Sequence, residues 1–285
     1  MIVMRPDLRP EPAYGGLGVA MLRTLAEQGR STFTSADARE AAQATGIAHS
    51  YLSVLLYRLQ RAGWVRRIKR GSYTLAPGLP GVPDAHPFAV GMALVEPCAI
   101  SGWAALRHHG LTEQVPRVIT LTTPKRVVTP AMRGAVRAAP STWEAAGQPF
   151  EIVTVIPAHF FGDEEVWIGE VRVRMFDRER ALLDCFAAPR RFGGLAEGLG
   201  VLEEHFGDLN VPRLVAYARR YGTAAVAKRV GYALERAGVA PECIEPLQTL
   251  PMTGDRPLDP TKALIGARNA RWQLVENLAA GRTQP

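Results

Sequence analysis

Residues 49–61 read His49-Ser50-Tyr51-Leu52-Ser53-Val54-Leu55-Leu56-Tyr57-Arg58-Leu59-Gln60-Arg61. After Ala62-Gly63 the chain continues Trp64-Val65-Arg66-Arg67-Ile68-Lys69-Arg70-Gly71-Ser72-Tyr73-Thr74-Leu75. At about 100° per residue, Leu52, Leu55, Leu56 and Leu59 share one narrow sector of a helix and must face a core. The opposite sector carries Ser50, Val54, Tyr57 and Arg61, flanked by Ser53 and Arg58. The spacing predicts a helix from about His49 or Ser50 to Arg61, ended by Gly63. Two short apolar–polar runs around the basic turn Lys69-Arg70-Gly71 then predict a β-hairpin. Val65 and Ile68 have opposite strand parity, which requires either a bulge or a place at the hairpin base. Which of Arg66 and Arg67 points outward stays open.

Working upstream, Leu17, Ala20, Met21, Leu22 and Leu25 recur at near-helical spacing, and Gly29 stops that helix. Ser31-Thr32-Phe33-Thr34 is β-prone. Ser35 reads as an N-cap, with Asp37 in the first turn and an Ala-rich helix to Thr45 closed by Gly46. Ile47-Ala48 leave only a tight turn before the third helix. Helix, strand, helix, tight turn, helix, hairpin is the winged helix-turn-helix order.

The charge supports a nucleic-acid role for this segment. The chain carries a net charge of +7, yet residues 1–80 hold 11 basic and 5 acidic side chains and the remainder 23 and 22. Between Glu40 and Asp84 there is no acid, while Arg58, Arg61, Arg66, Arg67, Lys69 and Arg70 all fall there. Solvated surfaces mix signs, so an acid-free basic stretch points to an anionic partner. Double-stranded DNA is the expected partner. On the outward helix face, Ser50, Ser53, Tyr57, Arg58 and Arg61 offer groups for base edges and phosphates, and Val54 can meet a thymine methyl. His49 and Ser50 stand at the helix N-terminus, where free N–H groups favour phosphate. Arg66, Arg67, Lys69 and Arg70, with Ser72 beside them, are expected to hold the backbone or an adjacent minor groove, adding affinity more than sequence choice.

Length and composition set the wider frame. At about 150 residues per domain, 285 residues suggest two domains. A hydrophobic fraction of 47% and a charged fraction of 21% are ordinary globular usage. The longest apolar run, Phe88–Val95, is far short of the ~20 residues of a membrane span, and the N-terminus lacks a basic region followed by an apolar one. Three scattered cysteines exclude a disulfide framework or Cys-rich zinc module and fit a reducing cytosol. A soluble, cytoplasmic protein without membrane attachment is expected.

Residues 1–76 are read as the winged domain, Pro77–Pro87 as a stiff Pro/Gly-rich linker, and 88–285 as a larger α+β domain. In the latter, Ser101 caps a short helix to His109, and Arg117–Thr122 and Phe150–Ile156 are β-rich. Val171–Met175 alternates as a half-buried strand, and Asp177 caps a helix through Phe186 in which Arg180 and Asp184 pair. Helical patterns lie near Leu195–His205, Val211–Tyr221 and Ala224–Ala237, and the tail ends in a strand around Ala270–Val275.

Several segments together resemble the AbiEi-type antitoxins of type IV toxin–antitoxin (abortive infection, phage-defence) systems. They are Gly63-Trp64 with Arg70-Gly71-Ser72-Tyr73; Ser101-Gly102-Trp103-Ala104-Ala105-Leu106 with His109-Gly110-Leu111; and Asp177 through Asp184. Phe192-Gly193-Gly194, Lys228-Arg229-Val230-Gly231-Tyr232 and Trp272-Gln273-Leu274 complete the series. No single motif is diagnostic; their order along nearly the whole chain carries the resemblance. It implies a winged-helix repressor of its own operon, whose C-terminal domain counters a nucleotidyltransferase-like toxin without a stable complex.

For an enzyme the residues offer little. The phosphate loop, the dinucleotide fingerprint, the nucleophile elbow and the His-Glu-x-x-His motif are all missing. His108 and His109, adjacent on a helix, point about 100° apart and cannot jointly chelate a metal. Asp163-Glu164-Glu165 reads as a turn, and Lys228-Arg229 and Arg219-Arg220 as solvated helix faces. No catalytic residue, metal or cofactor is implied. The competing readings are phosphoryl or nucleotidyl transfer in the C-terminal domain, and a DNA-binding domain fused to a small-molecule sensor.

Overall fold

The computed structural model describes residues 16–77, 84–133, 141–251 and 254–278. Two compact units divide the chain: residues 1–94 with the short segments 145–148 and 169–171, and the remainder.

The first unit is a winged helix-turn-helix. Its elements are α1 (Gly16–Glu27), β1 (Thr32–Thr34), α2 (Ser35–Ala44), α3 (His49–Arg61), β2 (Val65–Lys69), β3 (Ser72–Leu75) and α4 (Pro87–Leu94). The strands form one sheet in the order β1-β3-β2. Met21, Leu22 and Leu25 of α1, Ala38, Ala41 and Ala42 of α2, and the four α3 leucines make the core, closed by Phe33, Val65 and Leu75. Leu17, placed by periodicity on the α1 core face, is instead exposed. The cap of α2 also shifts by one residue. Thr34, not Ser35, accepts from Asp37 N, and the Asp37 carboxylate accepts from Thr34 N at 2.7 Å, a reciprocal capping box.

A bulge resolves the parity conflict in the wing. The β2–β3 register slips between Arg67 and Lys69, so Val65 and Ile68 both turn inward while Arg66 and Arg67 both stay exposed. One extra residue on one strand does this at small cost and sharpens the local twist. Of the connector 77–87, residues 78–83 lie outside the described residues. Beyond it, α4 packs on β1, β2 and β3, so the first unit runs on to Leu94.

The second unit holds β4 (Ala99–Ser101), α5 (Gly102–His108), β5 (Ile119–Thr123), β8 (Asp163–Ile168) and all but one end residue each of β6 (Thr142–Ala145), β7 (Gln148–Thr154) and β9 (Val171–Phe176). Helices α6 (Arg178–Ala187), α7 (Leu195–Glu204), α8 (Val211–Tyr221), α9 (Ala224–Arg236) and α10 (Pro241–Gln248) follow. The chain ends in β10 (Arg256–Pro257), β11 (Ala267–Asn269) and β12 (Leu274–Glu276). The large sheet runs β6-β7-β5-β4-β9-β8, with β4–β5 antiparallel and β5–β7 and β4–β9 parallel. The acidic run at 163–165 is thus a strand rather than a turn, and Asp163 and Glu165 pair with Arg174 and Arg172 of β9.

Charged residues inside this unit act as bolts. Asp177 caps α6 by accepting from Arg180 N, and also accepts the Tyr217 hydroxyl at 2.6 Å. The Arg180 guanidinium, 1% exposed, pairs with Asp184 and lies 4.4 Å from the Phe176 ring centroid. Lys228 and Arg229 are buried, correcting the reading of solvated helix faces. Lys228 Nζ donates to the carbonyls of Gly254 and Gln273, and Arg229 to those of Leu258 and Phe186. Each buried cation thereby donates to two carbonyls, which is what makes it tolerable. Trp272, fully buried, donates from its indole to Glu235 at 2.6 Å. Among the described residues no helix is long and apolar enough to cross a membrane.

Candidate nucleic-acid interface

The N-terminus of α3 is built open. Its N-cap is Ala48, in extended backbone, which has no side-chain acceptor for the first N–H groups. His49 and Ser50 flank this end, both exposed. His49 Nε2 accepts from Arg39 Nε of α2 at 2.9 Å, which fixes the ring and leaves Nδ1 as its donor.

Along the helix the structure separates two exposed stripes. Ser50, Ser53, Tyr57 and Gln60, at i, i+3, i+7 and i+10, line a groove of about 490 Å³ whose far wall is Arg67 and Tyr73 of the wing. Ser35 and Arg39 of α2 close its end. The second stripe is Tyr51, Val54, Arg58 and Arg61, in which Arg58 donates to the Tyr51 hydroxyl at 2.9 Å. Val54 is 42% and Tyr57 59% exposed, a costly display of apolar surface on a free helix face. All seven α3 residues singled out from the sequence are therefore on the surface.

The wing is less uniform. Arg67 and Arg70 are exposed, and Arg67 Nε donates to the Lys69 carbonyl at 3.3 Å. Arg66 is exposed and donates to the Ala146 carbonyl at 3.1 Å. Lys69 is half-buried and donates to the Leu94 carbonyl at 3.1 Å, satisfying an orphan acceptor at the C-terminus of α4. Ser72 departs from the expected surface position: it is 4% exposed, because β3 is the central strand of the sheet and its pleat turns this side chain inward.

The sequence reading passed over Arg39, Tyr51 and Gln60. Gln60 was legible, since it extends the Ser50–Ser53–Tyr57 stripe by one step of three; Arg39 was not, because only the packing of α2 on α3 brings it to His49. The nearby acids are already engaged: Arg30 bridges Asp37 at 3.0 Å and Glu40 at 2.8 Å. The uncompensated charge of this face is positive.

Helix, strand, helix, turn, helix and wing, with an uncapped and basic third helix, define a winged-helix DNA-binding protein. Residues 21–76 match the family model described as "Transcriptional regulator, AbiEi antitoxin". The chain is also similar in fold to the RV2827C protein from Mycobacterium tuberculosis, known from a crystal structure. The TM-score is 0.65 at 16% identity, covering 92% of each chain. No curated protein matches the chain.

Proposed function

We propose that this protein represses its own operon by seating α3 in the major groove and laying the wing on the flanking backbone. The observation that carries the reading is the N-terminus of α3, left without a side-chain cap and flanked by exposed His49 and Ser50, with Ser53, Tyr57 and Arg61 exposed further along the same helix. In this reading Tyr57, Val54, Ser53 and Arg61 meet base edges, and His49, Ser50 and Arg58 meet phosphates. Arg66, Arg67 and Arg70 hold the wing to the backbone; Lys69 contributes charge while tied to α4, and Ser72 supports the strand from inside. One winged helix reads few base pairs, so two copies on an inverted repeat supply the specificity. The second unit counters a nucleotidyltransferase-like toxin, making the whole a two-part antitoxin rather than an enzyme.

The test is binding of the purified chain to the DNA upstream of its own gene, against scrambled DNA, at two salt concentrations. Selective and salt-sensitive binding is expected. Replacing Arg61 or Tyr57 should cost about 1–3 kcal/mol on the operator and relax sequence choice. Equal, weak binding to both DNAs, or variants indistinguishable from the parent, would remove the assignment.

A further inference from the structure

The second unit contains a partly open cavity of about 190 Å³ that DNA recognition does not use. Its floor is one face of the large sheet. The pairings Ser101↔Thr120 and Thr120↔Glu151 set three polar side chains in a row across β4, β5 and β7, and Thr122↔Val153 makes the next row. Period-two alternation puts these residues on the same face. Trp103 and Phe192 form an aromatic wall, ring centroids 5.3 Å apart. Tyr221 forms another, its ring stacked on His159 at 3.9 Å.

The polar groups here are held in place. Glu151 is fixed by Arg191 at 2.6 Å and by the Thr120 hydroxyl at 3.4 Å. Asp184 is fixed through one oxygen by Arg180, which is 1% exposed and cradled by the Phe161, Phe176 and Tyr221 rings. The other oxygen of Asp184 and the Tyr221 hydroxyl have no hydrogen-bond partner among the described residues, and both residues line the cavity. Burial, then the charge of Asp184, pushes the Tyr221 phenol pKa up, so it stands as a neutral donor beside an obligate acceptor. Each carboxylate already has its own arginine, which leaves the chamber close to charge balance.

We propose that this cavity binds a small, uncharged, planar nitrogen heterocycle carrying an exocyclic amine, of nucleobase chemistry. Aromatic walls select a flat ring. The free Asp184 oxygen accepts from the amine while the Tyr221 hydroxyl donates to the adjacent ring nitrogen. The volume is below the ~300–1,000 Å³ of pockets for drug-sized ligands, which matches a ligand of one or two rings.

Calorimetric titration of the full chain with adenine and with cytosine tests this, with purine, uracil and AMP as controls. Saturable one-to-one binding of an amine-bearing base is expected, about tenfold weaker or more for the rings without that amine and for AMP. Tyr221→Phe keeps the ring stack and should weaken binding about tenfold; Val153→Trp fills the chamber and should abolish it, with the melting temperature of each ligand-free variant checking its fold. Absence of binding by either base, equal binding of amine-free rings, or unchanged binding in Tyr221→Phe would overturn the proposal.

Discussion

Gly231 sits in the middle of α9, where alanine would ordinarily be better by about 1 kcal/mol. Here a Cβ would lie 2.1 Å from the ring of Trp272, the largest fully buried side chain of the molecule. Gly231→Ala should therefore destabilise by about 1–3 kcal/mol, read as a lowered urea midpoint, because the indole must move from a packed site. Tyr217 is the other residue with a sharp signature. Burial first, and then its hydrogen bond to Asp177, push its pKa from 10 up to about 12. The folded value is raised, so the neutral hydroxyl contributes stability that is intact below pH 10 and lost as the pH rises through about 12. Alkaline titration of tyrosinate absorbance should show a late component near pH 12 that Tyr217→Phe removes.

Two neighbouring helices begin in opposite ways. Helix α2 has the Thr34–Asp37 capping box, whereas α3 starts at Ala48 with no side-chain acceptor. Thr34→Ala should cost about 1 kcal/mol of stability. Ala48→Asp should act in two directions at once. Its carboxylate would cap α3 and stabilise the fold by about 0.5–2 kcal/mol, while placing negative charge where a phosphate is to sit. Thermal melts and operator titrations on the same variant check both signs; a gain in stability with undiminished DNA binding would separate the α3 N-terminus from the interface. The element boundaries show how far periodicity reaches. The ranges of α3, β2 and β3 follow from leucine spacing and the Arg70-Gly71 turn. The Thr34 cap and the exposure of Leu17 do not, since hydroxyls in succession cap equally well on paper and an apolar residue in a first turn has no core to meet until packing supplies one.

Charge is distributed by domain across the molecule. The second part is nearly balanced, so the salt dependence of DNA binding should arise from the winged unit. The logarithm of affinity should fall linearly with the logarithm of salt concentration, at about 0.9 per phosphate contact. Arg70→Ala should reduce that slope by about one and weaken all sequences alike. Arg219→Ala, on an exposed turn of α8 in the second unit, should leave it unchanged. Analytical ultracentrifugation with operator DNA should find two chains per inverted repeat.

The winged domain could be read from its residues because its signals are local: a leucine stripe of period 3.6, a glycine at each helix end and a basic two-residue turn. Those contacts lie within a few residues or one helix face, where backbone geometry and hydrophobic patterning suffice. Lys228, Arg229, Gly231 and Trp272 carry no such local signal. Their neighbours, Gly254, Leu258 and Phe186 among them, lie tens of residues away, so only the folded chain reveals that two cations and a glycine anchor its C-terminal tail. The chamber of Glu151, Asp184 and Tyr221 is of the same kind. Its residues come from separate strands and helices, and their meeting is set by strand register and helix packing, which no single stretch of sequence encodes.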